Sequence, residues 1–226
     1  MQWWSRKLLR LLGVTLRVEG SPPHATERSA MIAANHISWL DIFVVDAAWP
    51  TRFVAKSEIR DWPVAGWIAE RAGTLFIRRE RRRDAARMNE RVHQVLAEGD
   101  CVGLFPEGTT TLGDRLLKFH SSLFEPALAN AAHVHPAAIR YEHADGSPCP
   151  DVAYVDELSF MESMARVIAQ RGLVARLVFA EPIDCASLAG RREAAATAHE
   201  RIASLLRLPP AGNPPGIRAD PPAAPP

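Results

Sequence analysis

His36 and Asp41 stand five positions apart in "MIAANHISWLDIFVV", residues 31–45, directly after an apolar run. Histidine is the side chain best suited to take a proton near neutral pH, and a carboxylate beside it fixes its tautomer and stabilises the imidazolium that forms. Such a pair is two thirds of a hydrolase triad. The chain has no G-x-S-x-G elbow to supply the third member, and its three cysteines, Cys101, Cys149 and Cys185, are widely separated with no C-x-x-C spacing. A base and its carboxylate without a nucleophile of their own point to a hydroxyl on the substrate. No second histidine stands at a ligand spacing from His36, so no metal centre is expected.

The spacing alone is a weak signal: with eight histidines and eleven aspartates in 226 residues, an H-x4-D arises by chance roughly 0.4 times. Two later stretches add to it. "GTLFIRRERRR" begins at Gly73, and "FPEGTTT" begins at Phe105. Each ends or overlaps a predicted strand, and in open α/β sheets ligands bind beyond the carboxyl ends of strands. Arg78, Arg79, Arg81, Arg82, Arg83 and Arg87 put six guanidinium groups in ten residues. Cations at a helix start oppose the macrodipole, so a partner anion explains the cluster better than helix stability does. Taken singly, Glu107 reads as a loop carboxylate, Gly108 as a turn residue, and Trp39 and Phe43 as core.

For His36 to meet Asp41, the histidine must lie on a turn and the aspartate in the first turns of a helix, because residues five apart on one helix diverge by about 140°. The patterning provides for this. Strands are predicted at 14–19, 30–34, 52–56, 74–78, 101–105, 133–140 and 174–180. Helices are predicted near 39–48, 62–72, 83–98, 121–132, 159–170 and 188–207. Asn35 and Ser38 read as turn and cap residues before the first of these, and Gly99 as the C-terminal cap of the helix at 83. The stretch 142–151 has turn chemistry throughout. The alternation predicts an α/β fold, a single domain with a largely parallel mixed sheet flanked by helices.

Basic side chains number 27 and acidic ones 26, so the whole-chain field is close to neutral and any attraction to anions is local. A nucleic-acid partner is not expected. The cysteines suit a reducing, cytosolic setting. Residues 1–12 begin with Trp3 and Trp4 and set Leu8, Leu9, Leu11 and Leu12 among Arg6, Lys7 and Arg10. They form neither a transmembrane span nor a signal peptide, and they suit an amphipathic helix at a membrane interface or a first helix docked on the core of the domain itself. The domain proper is expected over 13–208. The last eighteen residues, 209–226, carry eight prolines and are expected to be a disordered tail.

From about residue 13 to about residue 183 the chain resembles the PlsC-like glycerolipid acyltransferases, which include 1-acylglycerol-3-phosphate acyltransferases and related lysolipid acyltransferases. The resemblance rests on "NHISWLD", "GTLFIRRERRR" and "FPEGTTT" in order and approximate spacing. "KSEIRDWPVAGW" at 56 and "VHPAAI" at 134 add to it. It implies a glycerol-3-phosphate acyltransferase-like fold and a peripheral enzyme of phospholipid biosynthesis on the cytoplasmic face of a membrane. His36 would be the general base and Asp41 its orienting carboxylate. Gly73, Thr74, Arg78 and Arg79, with Glu107, Gly108, Thr109 and Thr110, would bind substrate, and Pro136 would lie on the acyl-donor side. No cofactor is implied; the acyl donor would be acyl-CoA or acyl carrier protein, and the acceptor a lysolipid, 1-acyl-sn-glycerol-3-phosphate before any other. One departure matters. Many lysophosphatidate-using members carry arginine directly after the E-G-T, where this chain has Thr110. Lyso-ornithine lipid acyltransferases resemble it in a threonine-rich third motif. The sequence carries no signal for oligomeric state.

Overall fold

The computed structural model describes residues 2–24, 26–27, 29–56, 66, 74–77, 82–155 and 158–207. Among these, eight strands form one mixed sheet: β1 (Thr15–Gly20), β2 (Ala30–Ala34), β3 (Arg52–Lys56), β4 (Leu75–Ile77), β5 (Val102–Leu104), β6 (His133–Glu142), β7 (Val174–Phe179) and β8 (Ile183–Asp184). Their order is β1-β7-β6-β2-β5-β3-β4, with β8 also pairing β6. From β6 to β4 all neighbours are parallel, while β7 and β8 run antiparallel to β6 and β1 runs parallel to β7. The carboxyl ends of β2, β5, β3 and β4 therefore share one edge. That edge carries the residues following Ala34 and Leu104.

Side-chain alternation along the strands divides the core into two layers. Ala30, Ile32 and Ala34 of β2 and Ala137, Ile139 and Tyr141 of β6 join the core beneath helices α1 (Gln2–Leu11), α2 (Asp41–Ala48) and α5 (Phe160–Ala169). Met31 and Ala33 of β2, with Val134 and Ala138 of β6, face α3 (Arg82–Ala97), α4 (Glu125–Ala129) and α6 (Arg191–Leu206). The expected architecture, a largely parallel sheet between helices, is the one observed.

All seven predicted strands are present, and β8, two residues long, was not predicted. The helix expected over 121–132 is divided. A 3-10 turn at Ser121–Phe124 runs into α4, because Pro126 has no N–H to continue an α ladder, and the helix ends at Ala129, three residues early, with Ala131 at φ 46°. Gly99, at φ 86°, ends α3 as expected, with Asp100 N donating to Val95 O and Gly99 N to Leu96 O. The 142–151 stretch turns on Asp145 and Gly146, with His143 N donating to Ser147 O. Apart from Gly66, the helix expected at 62–72 lies outside the described residues, as does the tail at 209–226.

Helix α1 docks on α2. The Ser5 hydroxyl donates to buried Asp46 Oδ2, Arg6 Nε donates to Ala47 O at 2.8 Å, Leu9 is buried, and Trp4 packs on Phe43 at 5.9 Å between ring centroids. Its other face leaves Trp3 71% and Leu11 75% exposed. Among the described residues no helix is long and apolar enough to cross a membrane.

Candidate active site

The chain leaves β2 at Ala34, and the next side chain, Asn35, is buried. It is not a turn cap as expected. Asn35 Nδ2 donates to Ile139 O at 3.1 Å and Ile139 N donates to Asn35 Oδ1 at 2.7 Å, so an amide side chain extends the β2–β6 ladder by one rung. Ser38 is not a cap either: Leu40 stands at the N-cap of α2 with no side-chain bond, and the buried Ser38 hydroxyl has no partner among the described residues. The helix needs no such cap because Asp41, its first residue, turns its carboxylate back over the preceding loop. Asp41 Oδ2 accepts from Ile37 N at 2.7 Å and Ser38 N at 2.9 Å.

The same oxygen lies 2.7 Å from His36 Nδ1, and Oδ1 accepts from the Tyr141 hydroxyl at 2.7 Å. Asp41 is fully buried, and four donors meet the requirement that a buried carboxylate be hydrogen-bonded. An acceptor-only partner assigns the ring proton to Nδ1, so the lone pair of His36 is on Nε2. No hydrogen bond engages Nε2 among the described residues, and the side chain is 20% exposed. Phe105 stacks on the imidazole at 4.1 Å and 6°, and Phe53 stacks on Phe105 at 5.5 Å, which fixes the ring plane.

The "FPEGTTT" stretch leaves β5 and wraps this turn. Glu107 is buried, and its carboxylate is spent on two backbone amides: His36 N donates to Oε1 at 2.9 Å and Leu117 N to Oε2 at 2.8 Å. Burial pushes its carboxyl above the usual range, and these two amides pull back against the rise. Gly108 has φ 76°, and an added Cβ would sit 3.2 Å from the His120 ring, so the turn wants glycine. Thr111 N donates to His36 O at 2.9 Å and Tyr154 N to Ile37 O at 2.9 Å, and the Thr110 hydroxyl donates to Tyr154 O. Thr109 and Thr110 line a cavity beside this loop.

Thr74 is buried at the start of β4 with its hydroxyl unpartnered among the described residues. Gly73, Arg78 and Arg79 lie outside the described residues. Pro136 is buried within β6 in register with Ala33, between the β8-paired and β7-paired stretches, and its carbonyl accepts from Ala180 N at 2.9 Å. It lies in the sheet below the loop that carries His36. Two residues beside the dyad were missed from sequence. Phe105 opens "FPEGTTT" but carried no role, and Tyr141 lies outside the motifs, one residue past the strand predicted at 133–140, where no local signal marks it.

A cysteine nucleophile is not part of this site. All three cysteines are free and buried, and burial pushes the thiol of Cys101 up to about 12 and that of Cys185 up to about 11. Among the described residues no group of three His, Cys, Asp or Glu side chains could hold a metal ion. The arrangement can take a proton at Nε2 and return it.

A model of the acyltransferase family matches residues 15–140. The chain is 38% identical to the lyso-ornithine lipid O-acyltransferase of Pseudomonas aeruginosa, over 91% of this chain and 77% of that protein. It is 37% identical to the 1-acyl-sn-glycerol-3-phosphate acyltransferase of Neisseria meningitidis serogroup B, over 80% of this chain and 70% of that one. Its fold is similar to that of PlsC, the 1-acyl-sn-glycerophosphate acyltransferase of Thermotoga maritima, with a TM-score of 0.68 and 20% identity over 91% of this chain and 76% of the other. With a family match over more than half its length and relatives aligned along most of it, the chain belongs to the PlsC-type acyltransferase family.

Proposed function

We propose that the protein transfers an acyl group from a thioester, carried by coenzyme A or acyl carrier protein, to the free hydroxyl of a lysolipid. The observation that carries this reading is the 2.7 Å contact between His36 Nδ1 and buried Asp41 Oδ2, which leaves Nε2 as the available base. Nε2 takes the proton of the acceptor hydroxyl as its oxygen attacks the thioester carbonyl. The C–O bond forms, the C–S bond breaks, and the imidazolium returns the proton to the departing thiolate. No acyl-enzyme is needed, in keeping with the buried cysteines. Asp41 holds the ring and balances the imidazolium charge.

Lysophosphatidate is the first acceptor reading. A second, lyso-ornithine lipid, is favoured by Thr110. An arginine in that place would offer a phosphate two charge-assisted hydrogen bonds, whereas the Thr110 proton is committed to Tyr154 O. Peripheral attachment to a membrane is supported by the exposed Trp3 and Leu11 beside Arg6, Lys7 and Arg10 on α1.

The test is thiol release from acyl-CoA and from acyl carrier protein, with and without each lysolipid, products separated by mass. Release that requires a lysolipid and yields its acylated product is the expected result. Release indifferent to lysolipid identifies a thioesterase, and no release with any pair rejects the reading.

A further inference from the structure

Against the backbone of the loop that carries His36 lies a cavity of about 490 Å³ whose wall includes Thr109, Thr110, Thr111, Tyr154 and Arg115, a volume within the range of small-ligand sites. The wall is tied to the base. Thr111 and Tyr154 hold the carbonyls of His36 and Ile37 through their backbone amides. Gly113, at φ 83°, is pressed so closely on Ile37 that an added Cβ would sit 2.9 Å from its Cδ1, and Gly113 N donates to Thr111 Oγ1 at 3.2 Å. The loop reaching Arg115 is thus braced on the residue next to His36. The Thr110 hydroxyl donates inward to Tyr154 O and offers an incoming anion no proton. Among the described residues Arg115 is the charged member of the wall. It is exposed, and no hydrogen bond or ion pair engages it among the described residues.

We propose that Arg115 is the anchor for the anionic group of the acceptor's head, supplying the cation that the third motif lacks at position 110. The proposal rests on the acyl-transfer reading above. A phosphate monoester and a carboxylate present the same pair of oxygens to a guanidinium fork, so the shared chemistry is an anionic oxygen pair on the acceptor's head.

The experiment is steady-state transfer by wild type, Arg115→Ala and Arg115→Lys, with lysophosphatidate and with lyso-ornithine lipid as acceptors. Arg115→Ala is expected to lower kcat/KM about 10- to 100-fold for the acceptor the wild type uses, the loss of a hydrogen-bonded charge, mainly through acceptor KM and with donor KM unchanged. Arg115→Lys should recover part of it, since the charge remains and the fork is lost. A loss confined to lysophosphatidate assigns a phosphate, and one confined to lyso-ornithine lipid a carboxylate. Wild-type kcat/KM in Arg115→Ala with both acceptors overturns the anchor and leaves the acyl-transfer reading standing. A wild type that acylates neither lipid removes that reading and the anchor with it.

Discussion

Tyr141 donates its phenolic hydrogen to Oδ1 of Asp41 at 2.7 Å, across 100 positions of sequence and inside the core. Because Ile37 N, Ser38 N and His36 Nδ1 all converge on Oδ2, Tyr141 is the group that holds the other oxygen and so sets the carboxylate plane. Burial, the charge of Asp41 and this bond itself push the phenol well above its ordinary value. Tyr141 therefore stays a donor at every pH at which the histidine can work.

Tyr141→Phe keeps the ring and removes the donor. It should lower kcat about tenfold, the size of a lost hydrogen bond to a charged group, while leaving acceptor KM unchanged. Since the phenol does not titrate in the working range, the ratio of wild-type to mutant kcat should be flat from about pH 6 to about pH 9. A pH-rate series on both proteins checks this, and an unchanged kcat would remove Tyr141 from the positioning of the dyad.

The seam between α1 and α2 should be pH-sensitive. Burial raises the carboxyl of Asp46, against the bonds from Ser5 and Thr51 that pull it down. Ser5→Ala leaves Oδ2 without its donor, at a cost of about 1–3 kcal/mol near neutral pH, and raises the Asp46 value further. A raised folded-state carboxyl binds extra protons in the native state, so its contribution is present below the unfolded value and lost as pH rises through the folded one. The deficit of Ser5→Ala should accordingly shrink as pH falls through the Asp46 titration. Urea unfolding of both proteins at neutral and mildly acid pH measures it; a deficit that grows on acidification would contradict the assignment.

Because Ser5, Leu9 and Trp4 are packed against the domain, deleting α1 would confuse attachment with folding. Trp3 and Leu11 avoid that difficulty, being exposed on the free face. The double change Trp3→Ala with Leu11→Ala should weaken sedimentation with anionic vesicles by at least about tenfold, given about 1.5–3 kcal/mol for each large apolar side chain inserted, and leave the thermal midpoint in place. Equal sedimentation would move the attachment surface elsewhere.

The elements were legible because each carries its own local signal. Alternation marks the strands, and Gly99 closes α3. The dyad was legible because "GTLFIRRERRR" and "FPEGTTT" follow "NHISWLD" in order, which lifts a spacing that alone is weak. What escaped was contact between distant segments. Asn35 reads as a turn residue until Ile139 is seen beside it, and Tyr141 reads as one more β-former until the parallel register of β2 and β6 sets it over Asp41. Glu107 has the same character: nothing local says that its carboxylate will bind the amides of His36 and Leu117.

The central claim is that His36 is the base for transfer to a lipid hydroxyl, and His36→Ala tests it most directly. Its imidazole is the single member of the dyad that faces the open side of the site, so the change removes the base while Asp41 keeps the amides of Ile37 and Ser38 and the hydroxyl of Tyr141. Lysolipid-dependent thiol release should fall by about 10²- to 10⁴-fold, with circular dichroism and the melting midpoint close to those of the wild type. A folded His36→Ala protein that releases thiol and forms acylated lipid at the wild-type rate would contradict the account.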